Sequence, residues 1–424
     1  MESRKTKIIS VVAIVALLLI VFGIGVGVTL LYMNNKYKVY EEEEPKQIKK
    51  HVDTISMMLE TSAGSGNYEM TTRSEWPTEG YVFNTNLSKC ENGSELSWDN
   101  ENKRVLMSGN VSDKCYVYFD VIQVLFADYV KSLYTGTQGE NGIYYHDSSL
   151  TNGAGDSSYR YSGANPNNYV CFGSNESTCP TDNLYRIIGV FGNNVKLIKY
   201  DYGTTDELGT DGDYSKTYKE WGMDSTYKGT YGDGERIGVY YWNNTTQTNT
   251  WSESLLNKTN LNTNFINNIG EEWANKIATT TWKVGGNTYS NIYSKTPSVV
   301  YQNEIVSPVT TNTTDNATEY TAKIGLMYVS DYGFAADPSA WTLTMGSYNN
   351  TTATSTNWMY MGLYEWTFSR YAADSSRAFF VRFDGLVDSR DVDSDCAVRP
   401  SFSLESSITY VSGSGSASDP MVIN

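Results

Sequence analysis

Eight residues near the C-terminus, Trp358, Tyr360, Tyr364, Arg370, Tyr371, Arg382, Arg390 and Asp391, are of types that could do recognition chemistry. Aromatic faces stack on sugar rings or anchor protein contacts, and guanidinium groups add planar donors, so this run predicts a ligand-binding surface. Trp366 and Phe368 alternate within it as a strand face does, which assigns about half of the aromatic residues to a core and leaves the rest for a ligand. Asp384, Asp388, Asp391, Asp393 and Asp395 crowd the same region. Hard oxygen ligands at alternate positions suit Ca²⁺, with Asp388, Asp391, Asp393 and Asp395 as its candidate ligands. The stretch lacks the glycine and closing glutamate of a calcium hand, and Arg390 would neutralise part of it, so a solvated acidic loop is favoured and no cofactor is assigned.

Cysteine is the other reactive type. In an exported chain Cys90 with Cys115 closes a loop of about 25 residues, a constraint of about 3 kcal/mol by loop entropy. Cys171 with Cys179 forms a second, shorter clip. A zinc site is the alternative, but paired CxxC ligands and nearby histidines are missing. Cys396 is left over and reads as a small buried apolar side chain. His51 and His146 are the two histidines, read as solvated polar side chains, and they leave no place for an HExxH helix. Neither a GxSxG elbow nor a Walker A loop occurs, so nucleophilic and phosphoryl chemistry have no visible carrier, and the chain reads as a binding protein rather than an enzyme.

These residues need positioning elements. Phe379 to Phe383 and Leu386 to Val387 flank Asp384-Gly385, the signature of a hairpin with a two-residue loop. Val398, Pro400, Phe402 and Leu404 follow with strand spacing, and Pro400 places that strand near an edge. Upstream, Leu184 to Tyr200 predicts a hairpin around Gly192-Asn193-Asn194. Thr250 to Glu253 has the spacing of a capping box, and Leu261, Phe265, Ile269, Trp273 and Ile277 recur every fourth residue as helices do. Val121 to Tyr134 has an amphipathic helical pattern. Trp76 to Asp120 shows short strands between Asn, Gly and Asp turns, and Gly136 to Asn168 reads as a long loop.

A formal net charge of −16 over 424 residues, with no basic stripe, excludes nucleic acid as a partner. The 34 tyrosines and 35 glycines favour sheets and turns over long helices. Ile8 to Met33 carries no charge and would span about 39 Å as a helix, enough to cross a bilayer. It runs too long for a cleaved signal peptide, and Arg4, Lys5 and Lys7 before it place the short tail inside, so it predicts an uncleaved anchor. Tyr40 to Gly66 has a spacer's charged and Gly/Ser-rich composition, which Val52 to Leu59 could extend as a helix.

Three stretches in order, NLYRIIGVFGNNVKLIKYD (Asn183 to Asp201), NTWSESLLNKTNLNTNFINNI (Asn249 to Ile269) and VRPSFSL with GSGSASDPMVI, resemble bacterial surface domains of C-type-lectin-like fold. That group is related to the formylglycine-generating enzyme and to retroelement-diversified binding proteins. The resemblance implies a C-type-lectin-like domain over about residues 168–424, with recognition carried by the long loops after the helices. The formylglycine-generating enzymes act through a cysteine pair, whereas Cys396 has no second cysteine near it in sequence.

The expected architecture is α+β and β-rich: a cytoplasmic tail (1–7), a transmembrane signal anchor (8–33), a stalk (34–72), a small disulfide-clipped β module (73–120), a helix and linker (121–167) and the C-type-lectin-like domain (168–424). Such a chain is a single-pass, membrane-anchored binding protein, an adhesin or lectin-like receptor, with its bulk outside the cell and a glycan or protein as its ligand. A structural subunit of an envelope or pilus-like assembly, and a divergent enzyme on the formylglycine-generating-enzyme fold, are the alternatives.

Overall fold

The computed structural model describes residues 55–424 apart from 78–79, 111, 223–226, 233, 310–316 and 350. The expected tail, the Ile8 to Met33 anchor, the first part of the stalk and His51 lie outside the described residues. Among the described residues no helix is long and apolar enough to cross a membrane. The chain divides into two compact units, Met1–Ile122 and Gln123–Asn424; the described elements of the first are strands, and the second joins strands with short helices.

In the first unit Cys115–Val121 is the organising strand. Its Cys115, Val117 and Phe119 point inward on alternate residues, and Ile55–Glu60 runs parallel to it while Tyr81–Phe83 and Lys89–Cys90 pair antiparallel. Met57, Phe83, Val105, Val117 and Phe119 make the core, with Trp98 edge-on to Phe119 at 5.5 Å. The helix expected over Val52 to Leu59 is therefore corrected, because Ile55–Glu60 is a central strand. The buried Glu60 carboxylate accepts the Gly66 and Val121 N–H groups, an interaction no local pattern announces. The β module thus starts upstream of residue 73, at the expense of the stalk. Cys90 is bridged to Cys115 across the sheet, and Cys171 to Cys179 in the second unit, the pairing that the spacing predicts.

The second unit begins at Gln123, so the boundary expected near residue 168 is corrected as well. The segment from Gly136 to Asn168 is not one long loop. It contributes Ile143–His146 and Ser158–Tyr161, which extend a six-stranded sheet ordered Ser401–Ser403, Asn194–Lys199, Leu184–Phe191, Ser158–Tyr161, Ile143–His146, with Tyr169–Cys171 also on Leu184–Phe191. Each of the two strands is only four residues long, too short for a period to stand out in a Gly- and Ser-rich segment. The Leu184 hairpin forms with Gly192 at φ 63°, where a residue without Cβ meets no strain. Ser401–Ser403 lies at the sheet edge, with Pro400 just outside it. The amphipathic segment keeps a shorter helix, Phe126–Ser132, which buries Phe126, Ala127 and Val130.

A second sheet positions the candidate site. Its order is Tyr214–Thr217, Gly238–Tyr241, Asp395–Ala397, Glu365–Tyr371, Arg377–Val381, Val387–Asp391, with Gly286–Asn287 also on Glu365–Tyr371. Val387–Asp391 is the edge strand. The hairpin leading to it has a three-residue loop, Phe383-Asp384-Gly385, rather than two: Val381 pairs with Val387, the Arg382 N–H bonds Leu386 O, and Gly385 takes φ 90°. This is a turn closed by a left-handed glycine, a common three-residue solution.

Leu256–Phe265, wound with wide turns, is followed by Ile266–Ile269 and Glu271–Ala274, and together they bury Leu261, Phe265 and Trp273. The first cap differs from expectation. Ser254, not Thr250, places its hydroxyl to accept the Asn257 N–H, because Thr250 and Glu253 are spent in the preceding turn.

Candidate ligand-binding face

The eight aromatic, arginine and aspartate candidates separate by depth. Trp358 is core: its indole N–H donates to Tyr161 O and its ring lies 4.6 Å from the Arg186 guanidinium. Tyr360 is also buried and donates its hydroxyl to Phe383 O at 2.5 Å. Arg370 is 1 % exposed, and among the described residues none of its side-chain nitrogens has a hydrogen-bond acceptor. Burial pulls its guanidinium down to about 10, and Gly286 allows the close approach, since a Cβ there would fall 2.9 Å from Arg370 Cγ. These three are corrected from ligand face to interior. Tyr371 is half-buried, packed at 5.5 Å on Phe379. Tyr364, Arg382 and Arg390 are half-buried, and Asp391 is exposed.

The half-buried residues come together. Arg390, on the edge strand, lies over three rings, with its Cζ 5.3 Å from Tyr364, 5.8 Å from Phe380 and 5.8 Å from Trp221. The rings form one cluster: Tyr364 meets Trp221 at 5.6 Å, Phe380 at 5.5 Å and Phe383 at 5.5 Å. Arg390 Nη1 reaches Cys396 Sγ at 3.9 Å, a soft acceptor, and pairs with no carboxylate among the described residues. Arg382 differs, since it bonds Asp384 at 3.1 Å, approaches Asp388 at 3.9 Å and has its Cζ 6.0 Å from the Phe383 ring. Lys228 is exposed, with no ion pair among the described residues and Nζ 4.3 Å from the ring of Tyr360, whose hydroxyl bonds Phe383 O in the same ring cluster.

The scaffold under this face is a buried ion pair. Arg399 bonds both Glu365 oxygens, at 2.7 and 2.9 Å, and donates to Met359 O at 2.7 Å, so it fixes the main chain next to Tyr360. Burial disfavours charge on Arg399, yet the Glu365 carboxylate beside it outweighs burial and raises its pKa. Trp221 is held on the one-turn helix Tyr218–Trp221 by a capping box between Thr217 and Glu220, with Gly222 as left-handed C-cap. Lys228 is tied by its N–H to Met361 O.

The acidic loop does not gather a metal site. Asp388 leans to Arg382, Asp391 pairs with Arg377 at 3.4 Å, and Asp395 takes Lys216 at 3.2 Å and Ser215 at 2.8 Å. Among the described residues no three histidine, cysteine or acidic side chains converge, so the Ca²⁺ reading of Asp388, Asp391, Asp393 and Asp395 is corrected: three of them enter separate ion pairs and Asp393 is exposed. Cys396 is buried and unbridged, and burial pushes its thiol well above the ordinary range, the opposite of an activated nucleophile. His146 is not solvated: it is buried against Phe334 and Trp341, its Nδ1 accepts the Ala154 N–H, and burial, with Arg160, holds its pKa well below the ordinary value.

Comparison of the chain with family models, curated proteins and solved structures finds no match. What the face can do therefore rests on its own chemistry. A partly desolvated guanidinium on three rings, without a carboxylate partner, attracts an outside acceptor more strongly than a solvated one. Trp221, Lys228, Phe380 and Phe383 escaped the reading of the sequence. The Thr217-x-x-Glu220 capping box was visible there and would have marked the helix that carries Trp221.

Proposed function

We propose that the protein is a membrane-anchored, cell-surface binding protein whose second unit has a C-type-lectin-like fold and recognises a glycan or protein ligand through the Arg390 face. The observation that carries the reading is the half-exposed Arg390 guanidinium, cradled by Trp221, Tyr364 and Phe380 and paired with no carboxylate among the described residues. Arginine and large aromatic side chains supply most binding hot spots, and this face offers both on a rigid sheet edge. The two disulfides favour an oxidising, extracellular setting for both units. The uncharged Ile8 to Met33 run supports the anchor.

A glycan and protein array probed with the soluble fragment from Tyr40 onward tests the reading. A ligand captured by the wild type and lost by Arg390→Gln is the expected result. Capture that is indifferent to both Arg390→Gln and Tyr364→Ala would remove the face from recognition.

A further inference from the structure

Resting on that binding role, we infer that the Arg390 face takes a singly charged, carboxylate-bearing sugar. The argument begins with charge. The whole chain carries −16, so an extended polyanion is repelled on approach. A single carboxylate is not, because Arg390 has the planar donor pair that matches it and Lys228 adds a second cation beside Tyr360.

Strand geometry supplies the rest. Asp388 and Arg390 are two residues apart on the edge strand and share one of its faces, so an acceptor for sugar hydroxyls stands next to the carboxylate donor. Tyr364 and Trp221, both half-buried, keep ring surface open beside the guanidinium for the C–H face of a pyranose. A hydroxyl-rich ring bearing one carboxylate uses all three features. An acidic peptide uses the cations alone and leaves the ring surface and the Asp388 acceptor unused.

The test uses the full-length chain in phosphatidylcholine nanodiscs. Saturation-transfer NMR and calorimetric titration compare methyl β-D-glucuronide, its methyl ester, methyl β-D-glucoside and a hexaglutamate peptide. The glucuronide should bind at least tenfold more tightly than the ester or the glucoside. Arg390→Gln should reduce glucuronide binding tenfold or more, Arg390→Lys should retain part of it, and Lys228→Gln, at an exposed side chain that does not threaten folding, should weaken it two- to fivefold.

Equal binding of the ester, or full affinity in both Arg390→Gln and Lys228→Gln, overturns the inference. Hexaglutamate bound through Arg390 with no glucuronide response overturns it in favour of an acidic peptide. A neutral glycan captured on the array with no response to glucuronide also overturns it, while the binding role stands.

Discussion

Replacing Arg399 by Met should open the second unit far more often than its small change in volume suggests. The guanidinium is 1 % exposed, bonds both oxygens of a Glu365 that is 2 % exposed, and holds Met359 O as well. Removing one partner of such a pair leaves the other charge buried without compensation, which costs about 3–5 kcal/mol, whereas replacing both partners by apolar side chains is often neutral. Cys396 gives a direct assay, because its buried thiol is the unbridged one of five cysteines and can be alkylated only when its surroundings open. At about 1.4 kcal/mol per decade, Arg399→Met should speed alkylation by about a hundredfold to a few thousandfold. The double variant Glu365→Leu with Arg399→Met should recover most of that protection, short of about 1 kcal/mol for the donor lost at Met359 O. A single variant labelled less than tenfold faster, or a double variant as exposed as the single, would refute the reasoning.

Three further outcomes are expected. Tyr360→Ala should lower stability by about 3–5 kcal/mol, as a buried ring truncated in a packed core does, while Arg390→Gln shifts it by less than about 1 kcal/mol; thermal unfolding of the two variants side by side checks the separation of scaffold from face. Glu304 is buried at the start of Val329–Ala335, where it accepts the Val329 and Ser330 N–H groups, and burial, with a smaller push from Asp331, moves its carboxyl up to about 7. Since the folded state then holds a proton that the unfolded state releases near the ordinary pKa of 4.5, stability must fall as pH rises from about 4.5 to about 7, by up to about 3 kcal/mol. His146, kept neutral in the fold, slopes the opposite way below its ordinary value, so the informative quantity is the difference in urea midpoint between wild type and Glu304→Gln, which should grow across that window; a flat difference would be the contrary result. Non-reducing peptide mapping should recover Cys90 with Cys115 and Cys171 with Cys179, and removing the first bridge should cost about 3 kcal/mol in the first unit, read by its own proteolytic susceptibility.

What the sequence disclosed follows the range of the interactions involved. The Leu184–Phe191 and Asn194–Lys199 hairpin was legible because its turn is two residues that dictate their own conformation. The bridges were legible because cysteines without CxxC pairs or neighbouring histidines have few alternatives to bridging. The Ile55–Glu60 strand was not, because ISMMLE suits a helix equally well until Cys115–Val121 offers it a parallel partner far along the chain. Likewise the depth of Tyr360 depends on Phe383 O, and that of Arg370 on Gly286, neither of which a local pattern contains. Composition drew attention to the aromatic and arginine run, but only packing divides it into interior and surface.

That division also explains how an acidic chain can keep exposed positive charge at the face where we propose recognition. Several of its strongest cations are consumed inside: Arg160 reaches Asp156 and Asp331, Lys196 reaches Asp331, Lys199 reaches Glu207, and Arg399 reaches Glu365. Each buried pair fixes a strand or loop and is unavailable to a ligand. Arg390 sits on the edge strand, where nothing on the far side can supply a carboxylate from the sheet, and its own hairpin commits Asp384 and Asp388 to Arg382 and Asp391 to Arg377. Rings, not carboxylates, therefore set its position. Because a ring holds a guanidinium in place without neutralising it, the charge stays whole while its hydration is cut, and those two conditions together favour an outside carboxylate over water.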